Sequence, residues 1–328
     1  VSKPLHSQPD FRFREVFPWL RALERLRMRQ LMRSSIWVAL TFVGVLVSLV
    51  LVAKGCEVLG LLDLTGFTFD GILWGGILLA LVGVVATAFL ARDIAIWALQ
   101  SISVEQWLAE QEGAVQGSLP FILDKVLEKA GWHWKKPLFY IYPGSEINTI
   151  GLSVGRRRSI VLLSSGLVER GDQEQIEAAL TFTVKRLISG DLTALLVMFG
   201  MIVPMTLFPA RMMALLLGTS LRSSEEETPS DAVETFMVIL LEAFFVLFGA
   251  LAMRQFSRSS AGRIDSEMML SPLNNAYVKL LESEILTRRD RHRERFTAPF
   301  CAFDRVPTPF TLFRYVRSSQ SRLHKFMR

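Results

Sequence analysis

The chain is poor in the residues that build disulfide frameworks and metal clusters. It holds two cysteines and four histidines among 328 residues. Cys56 and Cys301 fall in stretches expected on opposite sides of a membrane, so neither a disulfide between them nor a zinc site built from them is expected. His6, His133, His292 and His324 are scattered, and none pairs with another at the short spacing of a helical zinc motif. His133 lies in Trp132-His133-Trp134, which reads as a packed, membrane-near surface rather than a ligand site. No internal repeat is visible, which speaks against an autonomous transporter. No nucleic-acid-binding module is recognisable, so no nucleic-acid partner is expected. No cleavable signal peptide is expected either. The first apolar run begins near residue 36, after a long basic stretch, and no small-residue cleavage site follows it.

Apolar residues and positive charge are plentiful. Hydrophobic residues make up 51% of the chain and the mean hydropathy is +0.34, which suits a membrane protein with a sizeable aqueous part. The net charge is +6, with a pI near 9.5. The excess lies beside apolar segments and near the C-terminus, which points to anionic lipid headgroups as partners.

Residues 1–35 predict a basic amphipathic segment. Phe17, Leu20, Leu23, Leu26 and Met28 alternate there with Arg21, Arg25, Arg27, Arg29 and Arg33. Four apolar runs follow at 36–53, 72–91, 192–217 and 236–252, each near the ~20 residues a bilayer core demands. They pair into hairpins spanning 36–91 and 192–253. The arginine-rich N-terminus orients toward the cytoplasm, and the acidic stretch Glu225, Glu226, Glu227 and Asp231 is placed outside. Residues 92–191 and 254–328 then form the cytoplasmic part. Arg211 and Glu242 sit at similar depth in the second hairpin and are expected to meet as a membrane polar pair.

Within the aqueous part, 103–129 reads as helices broken near Gly113–Gly117. Strands follow at 137–142, 147–154 and 160–163, and Asp172 is a plausible N-cap for the next helix. That helix, 176–191, shows Ile176, Ala179, Leu180, Val184, Leu187 and Ile188 at spacings of three and four. A helix is expected around 266–270 and another over 274–289.

The order of these elements, and several short motifs within them, resembles the HtpX-type membrane zinc metalloproteases of the CAAX prenyl endopeptidase-like clan. The resemblance covers about residues 36–318. Phe139-Tyr140-Ile141-Tyr142-Pro143 followed by Asn148 resembles the family's strand and its Asn-Ala-Phe motif. Residues 160–167 resemble the edge strand that leads to the metal helix. Ser189-Gly190-Asp191 resembles the Asn-Gly-Asp that ends it. Ser257-Arg258 with Asp265 resembles the motif around the third ligand, and Thr308-Pro309-Phe310 with Arg314 the C-terminal His-Pro-Pro-x-x-x-Arg.

The same matching puts Phe182 at the first zinc-binding His, Thr183 at the catalytic Glu, Arg186 at the second His and Ala261 at the third ligand. Phe offers no lone pair, Thr is a poor base near neutral pH, and Arg brings a fixed positive charge to the place of a dication. The resemblance therefore implies an HtpX-like, mainly α membrane fold with a small cytoplasmic β-sheet. It also implies an inactive member, with no catalytic residue, metal or other cofactor. Asp191, Arg263 and Asp265, with Arg186 nearby, are expected to form a salt-bridge cluster that replaces the metal as a cross-link. The expected role is that of a scaffold or regulatory subunit in the bacterial inner membrane, partnered by other membrane proteins or by a second copy of the chain. Two alternatives stand beside it: an active metallopeptidase with other ligands, and a component of a transport or secretion complex.

Overall fold

The computed structural model describes residues 32–47, 69–110, 114–155, 158–222 and 231–286, together with residues 50, 54 and 301; along 207–248 it describes the helical backbone alone. Most of the basic N-terminal segment, the acidic stretch at 225–227, Cys56, His6, His292, His324 and the motif at Thr308–Arg314 lie outside these residues.

The described chain is mainly helical. Helix α1 covers Met32–Val47 and α2 covers Phe69–Ala98. A strand β1 (Ile102–Ser103) leads into α3 (Val104–Glu110) and α4 (Ala114–Lys129). The strands β2 (Leu138–Tyr142), β3 (Thr149–Ser153) and β4 (Ser159–Ser164) follow. Then come α5 (Ser165–Arg170), α6 (Gln173–Ser189), α7 (Asp191–Arg222), α8 (Asp231–Met269) and α9 (Asn274–Leu286).

The sheet has four strands in the order β1-β2-β4-β3. β4 runs parallel to β2, with Phe139 opposite Val161, and antiparallel to β3, with Ile150 opposite Leu162. β4 is thus an interior strand, not the edge strand expected from the resemblance. Its sequence explains why: Ile160, Val161, Leu162 and Leu163 are all buried, the continuous apolar run of a strand covered on both faces. The outer strand on this side is β3, and Ile150 already bridges there to Cys301 of the same chain.

Local signals set the helix boundaries. Ser164 caps α5, its Oγ accepting from the Leu167 amide. Asp172 is the N-cap of α6, and its amide donates to Gln175 Oε1 at 3.0 Å. Gly190 closes α6 with φ 78°, a left-handed conformation that glycine adopts without penalty, and the chain turns by 68° into α7. α3 ends at Glu110 and α4 begins at Ala114, beside the expected break near Gly113–Gly117, with Gly117 inside α4.

Among the described residues one helix, α2 over Leu73–Ala98, is long and apolar enough to cross a membrane; the bent pair of α6 with Asp191–Thr206 passes the same test only as a unit. The run at 36–53 corresponds to a shorter apolar helix, Met32–Val47, and α8 continues unbroken from the fourth apolar run through Asp265. Small residues let α2 approach α7: a methyl group at Gly83 would lie 2.1 Å from the Gly200 carbonyl oxygen and 2.2 Å from Pro204. Trp37 of α1 packs on Phe256 of α8, with ring centroids 6.5 Å apart.

Candidate functional site

Helix α6 carries the candidate site because it is buried on nearly every side, between β3, α4, α8 and α9. Phe182, Thr183 and Arg186 all point into protein rather than solvent. Phe182 stacks on Tyr277 of α9, with centroids 5.9 Å apart and planes at 17°. The Thr183 hydroxyl donates to the Ala179 carbonyl at 3.2 Å. Its single proton being so engaged, it accepts from Thr149 of β3 at 2.6 Å.

Arg186 is 1% exposed and heads the largest fully buried side chains. Its Nη1 donates to the Cys301 carbonyl oxygen at 2.9 Å and its Nη2 to Ser257 Oγ of α8 at 3.5 Å. Ala261 is buried one turn beyond Ser257 on the same helix. A guanidinium therefore fills the space between α6, α8 and the segment at Cys301. Its charge does not depend on pH over any physiological range.

Two buried carboxylates stand along α7 and α8. Asp191, the first residue of α7, accepts from Ser260 Oγ at 2.6 Å and forms an ion pair with Arg263. Asp265 accepts from the Tyr277 hydroxyl at 2.9 Å. Tyr277 thus links Phe182 on one helix to Asp265 on another. The sequence reading did not single out Ser260 or Tyr277. Both act across long sequence separations. Arg211 lies on α7 and Glu242 on α8, but their side chains are outside the described residues.

A further buried charge, Glu177, lies near the other end of α6. Glu177 accepts from Lys125 and Lys129 of α4, each at 2.7 Å. Burial pushes the Glu177 carboxyl up, but the hydrogen bonds and charges of the two lysines outweigh it and hold the group below its ordinary range. The bond to Glu177, and its charge, raise the Lys125 ammonium above its ordinary value.

No protein-family model and no solved structure matches the chain. Among individual proteins, it is 27% identical over 150 residues to the protease HtpX of Buchnera aphidicola subsp. Schizaphis graminum, covering 42% of this chain and 51% of that one. It is 27% identical over 165 residues to the protease HtpX of Shewanella pealeana, covering 50% and 53%. A longer match, 23% identical over 236 residues, covers 72% of the chain and 79% of the protease HtpX of Glaesserella parasuis serovar 5. These matches make the chain similar to HtpX-type proteases over part of its length. It spans about half the length of the first two of these relatives.

An HtpX-type site implies zinc, and the donor set here can be tested against it. Zinc takes lone pairs from imidazole nitrogen, carboxylate oxygen or thiolate. The four positions matched to its ligands and base hold a benzyl ring, a hydroxyl already bonded on both sides, a guanidinium and a methyl group. Among the described residues no group of three or more His, Cys, Asp or Glu is placed to hold a metal ion. A buried cation at the matched second-ligand position also opposes a dication by direct repulsion. These residues do not fit zinc.

Proposed function

We propose that this chain is a membrane-embedded pseudoprotease of the HtpX type that acts as a scaffold or regulatory subunit of a membrane protein complex. The observation that carries the reading is Arg186: a permanently charged side chain, buried and hydrogen-bonded, at the position matched to a zinc ligand. Phe182 and Tyr277 fill the adjoining space with aromatic carbon, so the interior is consolidated by packing and by the Asp191–Arg263 ion pair in place of a metal. The reading places four apolar segments in the bacterial inner membrane, with both termini and the sheet domain in the cytoplasm. Its partners are membrane proteins, a second copy of the chain, or both.

A partner strand entering beside β4 has no free edge to pair with, since β4 is flanked by β2 and β3. Along β3, Ile150 is already bridged by Cys301. Recognition through exposed helix faces fits this arrangement better. The test is isolation of the full chain in mild detergent, with quantification of whatever co-purifies and assay of proteolysis on an unfolded protein substrate. A partner in fixed ratio and no proteolysis are expected. Chelator-sensitive proteolysis that is absent from a Thr183→Ala variant would overturn the reading.

A further inference from the structure

The face of α2 turned away from α7 is apolar and exposed. Trp74, Leu78, Val82, Val85 and Phe89 all lie on it. At 3.6 residues per turn these positions fall within about 80° of one another, and Arg92 falls on the same stripe. Gly83 faces roughly the opposite way, toward α7, as the close approach to Gly200 requires. From Leu73 to Arg92 is about 29 Å of helix, close to the thickness of a bilayer's hydrocarbon core. Arg92 thus ends an uncharged stretch of about one hydrocarbon thickness, and the membrane reading places the headgroup layer at its level.

At that level the stripe opens into a cavity of about 310 Å³, between the end of α2 and the near ends of β2, β3 and β4. Among the described residues four cations line it, Arg92, Lys135, Lys136 and Arg158, against one lining carboxylate, Asp93. Arg158 lies over the Phe89 ring, 5.8 Å from its centroid, so that a cation and the last apolar residue of the stripe form one wall. Arg92 is steered by a 3.2 Å hydrogen bond to the Tyr140 hydroxyl and a 3.8 Å ion pair with Asp93. Lys136 is tied to Asp124 at 2.6 Å. Trp132 and Trp134, T-stacked with centroids 5.3 Å apart, stand just before Lys135, and such amphipathic rings favour the headgroup layer.

We propose that this cavity is a binding site for the phosphate headgroup of an anionic phospholipid, whose acyl chains lie along the Trp74–Phe89 stripe. The site rests on the membrane reading given above and adds a specific ligand to it. Arg92 and Lys136 each face one carboxylate, so four cations stand against two, and a phosphodiester supplies negative charge toward the remaining excess. The exposed stripe leading to the cavity argues for a lipid rather than a soluble phosphate, because it places apolar surface in continuity with the cationic pocket. The lysines and arginines of a merely solvated face would not end on an unpartnered apolar helix face in this way.

The full chain, reconstituted into nanodiscs containing equal parts phosphatidylcholine and phosphatidylglycerol, tests this. Retained lipids are counted by native mass spectrometry after release. The wild-type chain is expected to retain phosphatidylglycerol in preference to phosphatidylcholine. Neutralising each cation should weaken that retention about fivefold, and Arg92→Gln with Arg158→Gln together about 25-fold. Both side chains are exposed, so the variants should fold, and Lys279→Gln, an exposed cation elsewhere, should change nothing. Equal retention of the two lipids by the wild-type chain, or undiminished preference in the double variant, would overturn the proposal. Displacement of the lipid by millimolar inorganic phosphate would assign the pocket to a soluble phosphate and overturn the lipid assignment. Failure of the wild-type chain to enter pure phosphatidylcholine nanodiscs would instead refute the membrane reading itself, so the two failures are distinguishable.

Discussion

Replacing Arg186 by methionine removes the buried charge while keeping most of the side-chain volume. The guanidinium donates to the Cys301 carbonyl at 2.9 Å and, more weakly, to Ser257 at 3.5 Å. A hydrogen bond from a charged donor contributes about 1.5–3 kcal/mol, and a carbonyl left unsatisfied in the interior costs a comparable amount. Methionine recovers part of this through apolar packing, because a buried cation carries its own desolvation penalty. A net loss of about 3 kcal/mol follows. At roughly 2 °C per kcal/mol for a chain of this size, the thermal midpoint should fall by about 6 °C. The assay is intrinsic-fluorescence unfolding of the detergent-solubilised chain, where Trp37, close to Phe256 on α8, reports on this packing. Arg186→Lys keeps the charge but loses the planar fork, and should lie between wild type and Arg186→Met. If Arg186→Met unfolds within about 1 °C of wild type, the guanidinium is not a cross-link and the argument fails.

Other perturbations probe the remaining contacts. Phe182→Ala deletes a fully buried ring stacked on Tyr277 and should destabilise by about 3–5 kcal/mol in the same assay. Gly83→Leu forces side-chain atoms into the Gly200 backbone and Pro204, so α2 should separate from α7 and the wild-type elution peak should be lost in size-exclusion chromatography. Glu177, held below its ordinary carboxyl value of 4.5, contributes stability that is present above that value and lost as the pH falls through its depressed one. Lys125, raised above 10.5, contributes stability that is present below 10.5 and lost as the pH rises through its raised value. Thermal midpoints measured across both ranges should show both losses in wild type, and Glu177→Gln should flatten the acid limb.

Much of the fold could be read from short-range pattern. The apolar run after residue 72, the strand sequences Leu-Phe-Tyr-Ile-Tyr and Ile-Val-Leu-Leu, and Asp172 ahead of an amphipathic helix each declare their element within a few residues. The strand order was not legible in the same way. A fully apolar strand such as β4 signals burial on both faces but does not say which strands flank it, and the interior position of β4 follows from the β2–β4 crossover. Helix α8 likewise runs unbroken past residue 253, where the apolar run ends, and takes in the helix expected separately around 266–270.

At the site, residue identities at 182, 183, 186 and 261 could be read directly, and their chemistry argues against zinc on its own. Their partners could not. Tyr277 beneath Phe182, Ser260 on Asp191 and the Cys301 carbonyl on Arg186 are contacts between distant parts of the chain, set by packing rather than by spacing.

The most direct test of the central claim is the zinc content of the full chain, expressed with added zinc, purified in mild detergent and measured by elemental mass spectrometry. With Arg186 filling the site, zinc should remain far below one atom per chain and should not change in an Arg186→Lys variant. One zinc per chain, removable by chelation with loss of thermal stability, would contradict the account.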